Sequence, residues 1–162
     1  VQGQVIKVLA QDSKAKPFIN NTAIRAILKN HPVLGLDIKE TDTFKSAMDK
    51  ISKKYHGELG FSEVTGWHFR TNSISIYSGY DSSENIEEAY DQKLSVLIVR
   101  LNDNMTIKNA KKFIPNIDVE FDEYASQYLY PYGFIDGDHK YWLEFTGESS
   151  NSQLVEIWIK NL

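Results

Sequence analysis

The sequence predicts an α+β fold: an antiparallel sheet of about five to seven strands with two or three helices. Helical patterns come first along the chain and short runs of alternating apolar and polar residues follow them. The clearest helical pattern, residues 43–55, has an apolar stripe that we expect to pack on one face of the sheet. The closing segment, 139–162, reads as a hairpin, and an isolated hairpin is marginal in water. It therefore needs further strands or a helix from the rest of the chain on its apolar face.

The helices are predicted from their caps and stops. Asn20 or Asn21 can start a first helix, which ends before His31-Pro32 because a residue before proline avoids the α region. For the main helix, 43–55, Asp42 is the expected cap and Gly57 the expected stop. Residues 5–10 are apolar without a clear period, so a strand and a helical turn both fit there.

The strands are predicted from alternation. Residues 61–69 and 74–80 form a predicted hairpin, and the acidic segment 81–91 fits either one or two helical turns or a loop. Residues 93–101 are apolar on both faces, which indicates the central strand of the sheet.

The later part of the chain alternates less regularly. A short helix is predicted at 105–113, and 117–121 and 124–130 are weaker strand predictions, with a break expected at Pro131. In the closing hairpin one face is expected to be apolar: Tyr141, Leu143 and Phe145 on its first strand, and Val155, Ile157 and Ile159 on its second. No repeat or long linker divides residues 1–162, so we expect one domain.

Composition excludes several classes of protein. The 162 residues include 18 basic and 22 acidic side chains, a net charge of −4, so general nucleic-acid binding is not expected, although a local basic patch stays open. There is no cysteine, hence no disulfide and no thiolate site, and no apolar run approaches the ~20 residues that span a bilayer. We expect no cofactor, because phosphate-binding glycine motifs and complete catalytic motifs are absent.

Residue 1 is Val, which suggests either a processed or a shortened amino terminus. A cysteine-free chain with this start is compatible with a bacterial envelope or exported protein and equally with a cytoplasmic one. The sequence leaves the compartment open.

Two carboxylates and an imidazole, Asp136, Asp138 and His139, stand close enough in sequence to suggest a metal site, joined by Asp118 from upstream. With Lys140 to stabilise developing charge, Asp118 and Asp138 would suit a metal-dependent hydrolase or nuclease. The alternative is structural: Asp136-Gly between apolar runs is a strong hairpin-turn signal, and we favour it.

Acidic and aromatic side chains are the candidate partner-binding residues. The acidic ones are Asp118, Glu120, Asp122 and Glu123, with Glu87 and Glu88 further upstream, and they would suit either a solvated strand edge or a surface for a basic partner. Trp142 and Trp158 lie opposite the apolar faces of the closing hairpin, where exposure would make them anchors and a second layer would bury them.

The predicted function is therefore a non-catalytic protein-binding module, for example an inhibitor or immunity-type protein that presents an acidic and aromatic surface to another protein. Two alternatives stay open: the small metal-dependent hydrolase described above, and an exported carbohydrate-binding domain that stacks sugars on Trp142 or Trp158.

Overall fold

An eight-stranded antiparallel sheet organises the molecule, which confirms the predicted α+β class. The computed structural model describes residues 15–79, 83–102, 105–115, 118–119 (backbone only) and 129–162. The strands within these ranges are β1 (Glu58–Ser62), β2 (Gly66–Arg70), β3 (Ile74–Tyr77), β4 (Val96–Arg100), β5 (Asp118–Val119), β6 (Tyr130–Asp136), β7 (His139–Phe145) and β8 (Leu154–Asn161). Seven of them have four or more residues, and β5 has two. The element predicted at 5–10 and most of the strand predicted at 124–130 lie outside the described residues.

The strand order is β1-β2-β3-β4-β8-β7-β6-β5, so the sheet consists of two meanders that meet where β4 pairs with β8. Strand β4 has three strands on one side and four on the other, which confirms residues 93–101 as a central strand. Strand β1 forms one edge of the sheet.

The described part of the chain contains four α-helices and one 3-10 helix: α1 (Thr22–Ile27), the 3-10 helix (Pro32–Leu36), α2 (Phe44–Ser52), α3 (Ile86–Tyr90) and α4 (Ile107–Phe113). Two or three were expected, and the additional short helix is α3, in the acidic segment that fitted both helical turns and a loop. None of these helices combines the length and the hydropathy that crossing a membrane requires.

The main helix, α2, packs on one face of the sheet as predicted, with Phe44, Ala47 and Ile51 buried. Its cap differs from the prediction: Thr43 and Ser46 form a reciprocal capping box. Asp42 instead accepts hydrogen bonds from the Lys39 amide (2.7 Å), Ser46 Oγ (2.7 Å) and Lys50 Nζ (2.8 Å), which ties the helix to the preceding loop.

One core lies between the helices and one face of the sheet, which we call the helix-covered face. All four α-helices contribute side chains that are buried in this core or packed against it. The strand residues that face it include Phe69, Ile74, Ile76, Leu97, Val99, Tyr141, Leu143, Phe145, Ile157 and Ile159. Side chains alternate across a strand, so the residues between these lie on the opposite face, which we call the helix-free face because no helix of the described residues packs on it.

Three further local predictions were wrong. The segment 61–69 is not one strand, because Gly66, with a φ of 70°, allows a turn between β1 and β2. Pro131 does not break β6: it pairs with Glu144, and β5 reaches only Tyr132 and Gly133 on the other side, so the missing amide lies near the edge of the sheet.

The third difference is on β8. An irregularity beside Glu144 and Phe145 pairs Phe145 with Leu154, so Leu154 is buried in the core while Val155 is only half-buried.

Candidate functional site

The helix-free face concentrates aromatic and charged side chains on two adjacent strands, β7 and β8. The register pairs Trp142 with Trp158, and Glu144 with Glu156. Lys160 follows on the same face of β8, two residues after Trp158. We call Trp142, Glu144, Glu156, Trp158 and Lys160 the face cluster.

A lysine lies over both tryptophans. Lys160 Nζ is 4.8 Å from the ring centroid of Trp142 and 5.2 Å from that of Trp158, and Lys140 Nζ is 5.6 Å from the Trp142 centroid. The negative faces of the indole rings attract these ammonium groups. The two rings and the cations therefore form one polar aromatic surface.

Glu156 is held by a neighbouring indole and a neighbouring guanidinium. Trp158 Nε1 donates a hydrogen bond to Glu156 Oε2 at 2.8 Å, and Arg100 Nε lies 3.6 Å from Glu156 Oε1. Arg100 is itself fixed, because its Nη1 donates to the Thr71 carbonyl and to Ser75 Oγ, each at 2.9 Å. The orientation of Trp158 is thereby tied to β3 and β4 as well as to β8.

Glu144 is the chemically unusual member of the face cluster, since only 7% of it is exposed. The pKa of its carboxyl group is raised to about 7, mainly by burial and also by the charge of Glu156, while the charge of Lys160 acts in the opposite direction. Like charges directly opposite each other on antiparallel strands are unfavourable, so a proton on Glu144 relieves the pair. The carboxyl group thus changes its charge close to neutral pH.

The face cluster also contains an unused donor. Trp142 Nε1 is buried and has no hydrogen-bond partner among the described residues. A buried indole N–H without a partner is unfavourable in the isolated chain.

Further polar and aromatic residues extend the face towards β2 and β3. The rings of Tyr77 and Trp158 lie 6.2 Å apart, and the rings of His68 and Tyr77 lie 6.1 Å apart. His68 is half-buried, and burial together with the charge of Arg70 lowers its pKa. The strands with described side chains carry four basic and three acidic residues on this face: Arg70, Arg100, Lys140, Lys160, Glu58, Glu144 and Glu156.

Two of the predicted acidic residues lie away from the tryptophans. Glu87 and Glu88 are exposed on α3, which packs with α2 over the helix-covered face. Of Asp118 only the backbone position is described, paired with Gly133. The other acidic residues of that predicted group, Glu120, Asp122 and Glu123, lie outside the described residues.

Of the residues proposed for a metal site, Asp136, Asp138 and His139 lie at a hairpin turn and at the strand ends beside it. Asp136 pairs with His139, so Gly137 and Asp138 form a two-residue turn, with a φ of 59° at Gly137. Asp136 Oδ2 accepts from Asn21 Nδ2 at 2.7 Å, and His139 is buried on the helix-covered face with its Nδ1 3.7 Å from Glu40 Oε1.

The hydrolase residues are separated. Lys140 lies on the helix-free face, and Asp118 pairs with Gly133, a position about 13 Å along the strands from the turn that holds Asp138. Among the residues described, no three histidine, aspartate or glutamate side chains are grouped in a way that could hold a metal ion.

Sequence reasoning identified Trp142 and Trp158 but missed Glu144, Glu156 and Lys160. Alternation already placed all three on the tryptophan face. What it could not supply was the pairing of Glu144 with Glu156, because strand register depends on contacts that are distant in sequence.

Comparison with known proteins adds no family to this description. No protein-family model, no curated protein and no solved structure matches this chain.

Proposed function

We propose that this chain is a non-catalytic protein-binding module, of the inhibitor or immunity-protein type, and that its contact surface is the helix-free face centred on the face cluster. The observation that carries the proposal is the pairing of Trp142 with Trp158 on a face over which no described helix packs. Tryptophan, tyrosine and arginine dominate the binding energy of protein interfaces. Tyr77 and Arg100, which lie beside the two tryptophans, are residues of the same interface-forming types.

The charges around the tryptophans favour a partner with an acidic surface. Lys140 and Lys160 flank the indole rings, and Glu156 already has Arg100 beside it. Glu144 loses its negative charge when it is protonated, and its pKa is about 7. The sequence suggested an acidic surface for a basic partner; the proposal of an acidic partner concerns only the described residues around Trp142 and Trp158.

A carbohydrate ligand is the less favoured candidate. Sugar rings stack on the open faces of aromatic rings, but Lys160 Nζ lies over both indoles and would compete for that position. A protein carboxylate would instead add to the Lys160 contact. The geometry therefore suits an acidic protein better than a neutral sugar.

The experiment is a binding titration of the purified chain against the products of the neighbouring genes, with a panel of oligosaccharides in parallel. We expect one of those proteins to bind, and Trp158→Ala to weaken binding by roughly 30-fold or more, as for an interface hot spot. Phe113→Ala, an exposed aromatic on α4, is the matched control and should leave the affinity unchanged.

Two results would reject the proposal. One is a partner that binds the wild-type chain and Trp158→Ala with equal affinity. The other is saccharide binding that depends on Trp142 or Trp158, which would select the carbohydrate-binding alternative.

A further inference from the structure

The edge strand β1 carries apolar side chains that the fold leaves exposed. Leu59 is 41% exposed and Phe61 is 37% exposed, although both are on the same face of β1 as the core residues of the neighbouring strand β2. Phe61 contacts Trp67, with ring centroids 5.3 Å apart. Two large apolar side chains thus lie beside each other along one edge of the sheet.

Strand β1 also has an open backbone edge. It pairs through five consecutive residues with β2 and, among the described residues, with no other strand. An edge strand of this kind presents unpaired N–H and C=O groups to other chains unless a lysine, a proline or a bulge blocks it. Between Glu58 and Ser62 there is no lysine and no proline, and the β1–β2 register is regular.

The strand is complementary to itself. In an antiparallel pair centred on Gly60, Leu59 of each copy faces Phe61 of the other, and Glu58 faces Ser62. Every apolar residue then meets an apolar residue, and no like charges face each other.

Other registers are worse. Centring on Phe61 would place Leu59 against Glu63, and centring on Glu58 would place two glutamates opposite each other. Registers shifted by one residue would put the helix-covered face of one copy beside the helix-free face of the other, because side chains alternate with a period of two.

We propose that two copies of this chain associate through antiparallel pairing of their β1 strands about Gly60, which joins the two sheets into one continuous sheet. The dimer has two-fold symmetry, as most homodimers do. It gains about four to six backbone hydrogen bonds and two Leu59–Phe61 contacts. Because only five residues from each copy pair, the interface is small and dimerisation depends on concentration.

This dimer is independent of the proposed function. It uses the edge of the sheet at β1, whereas the face cluster lies on β7 and β8, which β2, β3 and β4 separate from β1. Loss of dimerisation and loss of partner binding can therefore be measured as separate effects.

The first test is sedimentation equilibrium over a wide range of concentrations. We expect the wild-type chain to form a dimer, and Leu59→Lys or Phe61→Glu to raise the dimer dissociation constant by about tenfold or more. An equimolar mixture of the two variants should recover dimerisation, because the introduced ammonium group of one copy would then face the introduced carboxylate of the other. Val64→Lys, in the exposed turn after β1, is the control and should dimerise like the wild type.

The second test reads the register directly and uses substitutions that introduce no charge. The chain has no cysteine, so any disulfide must come from introduced residues. A mixture of Leu59→Cys and Phe61→Cys should form the mixed disulfide faster than either variant forms a disulfide with itself.

Three outcomes would overturn the proposal: a wild-type chain that remains monomeric at every concentration, a dimer that Leu59→Lys leaves intact, and preferential Phe61→Cys self-linkage.

Discussion

The two faces of the sheet are built from the same strands and yet differ in almost every physical property. On β7, Tyr141, Leu143 and Phe145 are fully buried beneath the helices, while Lys140, Trp142 and Glu144 alternate with them on the helix-free face. The helix-covered face gains its stability from apolar burial, at about 25 cal/mol per Å². On the helix-free face the contacts are cation–π pairs, hydrogen bonds and a carboxyl pair.

Side chains on this sheet can be buried without lying under a described helix. Glu144 is 7% exposed and Ile98 is 1% exposed, although both lie on the face without described helices. On this face the buried carboxyl group of Glu144 is surrounded by aromatic and charged neighbours. We therefore expect mutations on the helix-covered face to change stability, and mutations on the helix-free face to change pH dependence and binding.

The largest effect is expected on the helix-covered face. Leu143→Ala removes a fully buried side chain and should lower the free energy of unfolding by about 2–5 kcal/mol, as measured by urea denaturation. Lys140→Ala, three residues earlier on the opposite face, should change it by less than about 1 kcal/mol. Equal losses would mean that the helix-free face is packed as a second core.

The next effect concerns Glu144. Its pKa rises from a usual value of 4.5 to about 7, so the folded chain binds this proton more tightly than the unfolded chain. The resulting stabilisation is complete below the unfolded pKa and is lost as the pH rises through 7. Glu144→Gln removes this dependence and, at about pH 8, should stabilise the protein by about 3 kcal/mol relative to the wild type.

Unfolding measured between about pH 4 and pH 8 checks this expectation. Glu148→Gln, in the exposed turn between β7 and β8, is the control and should keep the slope of the wild type. A slope that persists in Glu144→Gln would assign the titration to another group.

The smallest effect is expected for Lys160. Lys160→Met keeps most of the apolar stem, removes the ammonium over both indoles, and should cost about 0.5–1 kcal/mol. The charge of Lys160 lowers the pKa of Glu144, so the variant should also shift the pH midpoint of stability upwards. Lys54→Met, an exposed lysine after α2, should leave that midpoint in place.

Much of the fold could be predicted from local patterns. The stripe of α2, the central strand β4 and the Gly137 turn each depend on residues that are close in sequence. The predictions that were wrong depend on contacts between residues that are distant in sequence. Pro131 stays in β6 because of its place near the edge of the sheet, and the irregularity between β7 and β8 brings Leu154 into the core instead of Val155.

Which side chains share a face could be predicted from the sequence alone, because alternation along a strand is a local property of the backbone. The sequence therefore placed Trp142 and Trp158 opposite the apolar residues of their strands. What lies across from each residue depends on strand register and order: Glu156 lies opposite Glu144, and β1 lies at the edge of the sheet formed by the described strands. Register and strand order depend on pairing between distant segments, and that pairing sets both the pKa of Glu144 and the surfaces that other molecules meet.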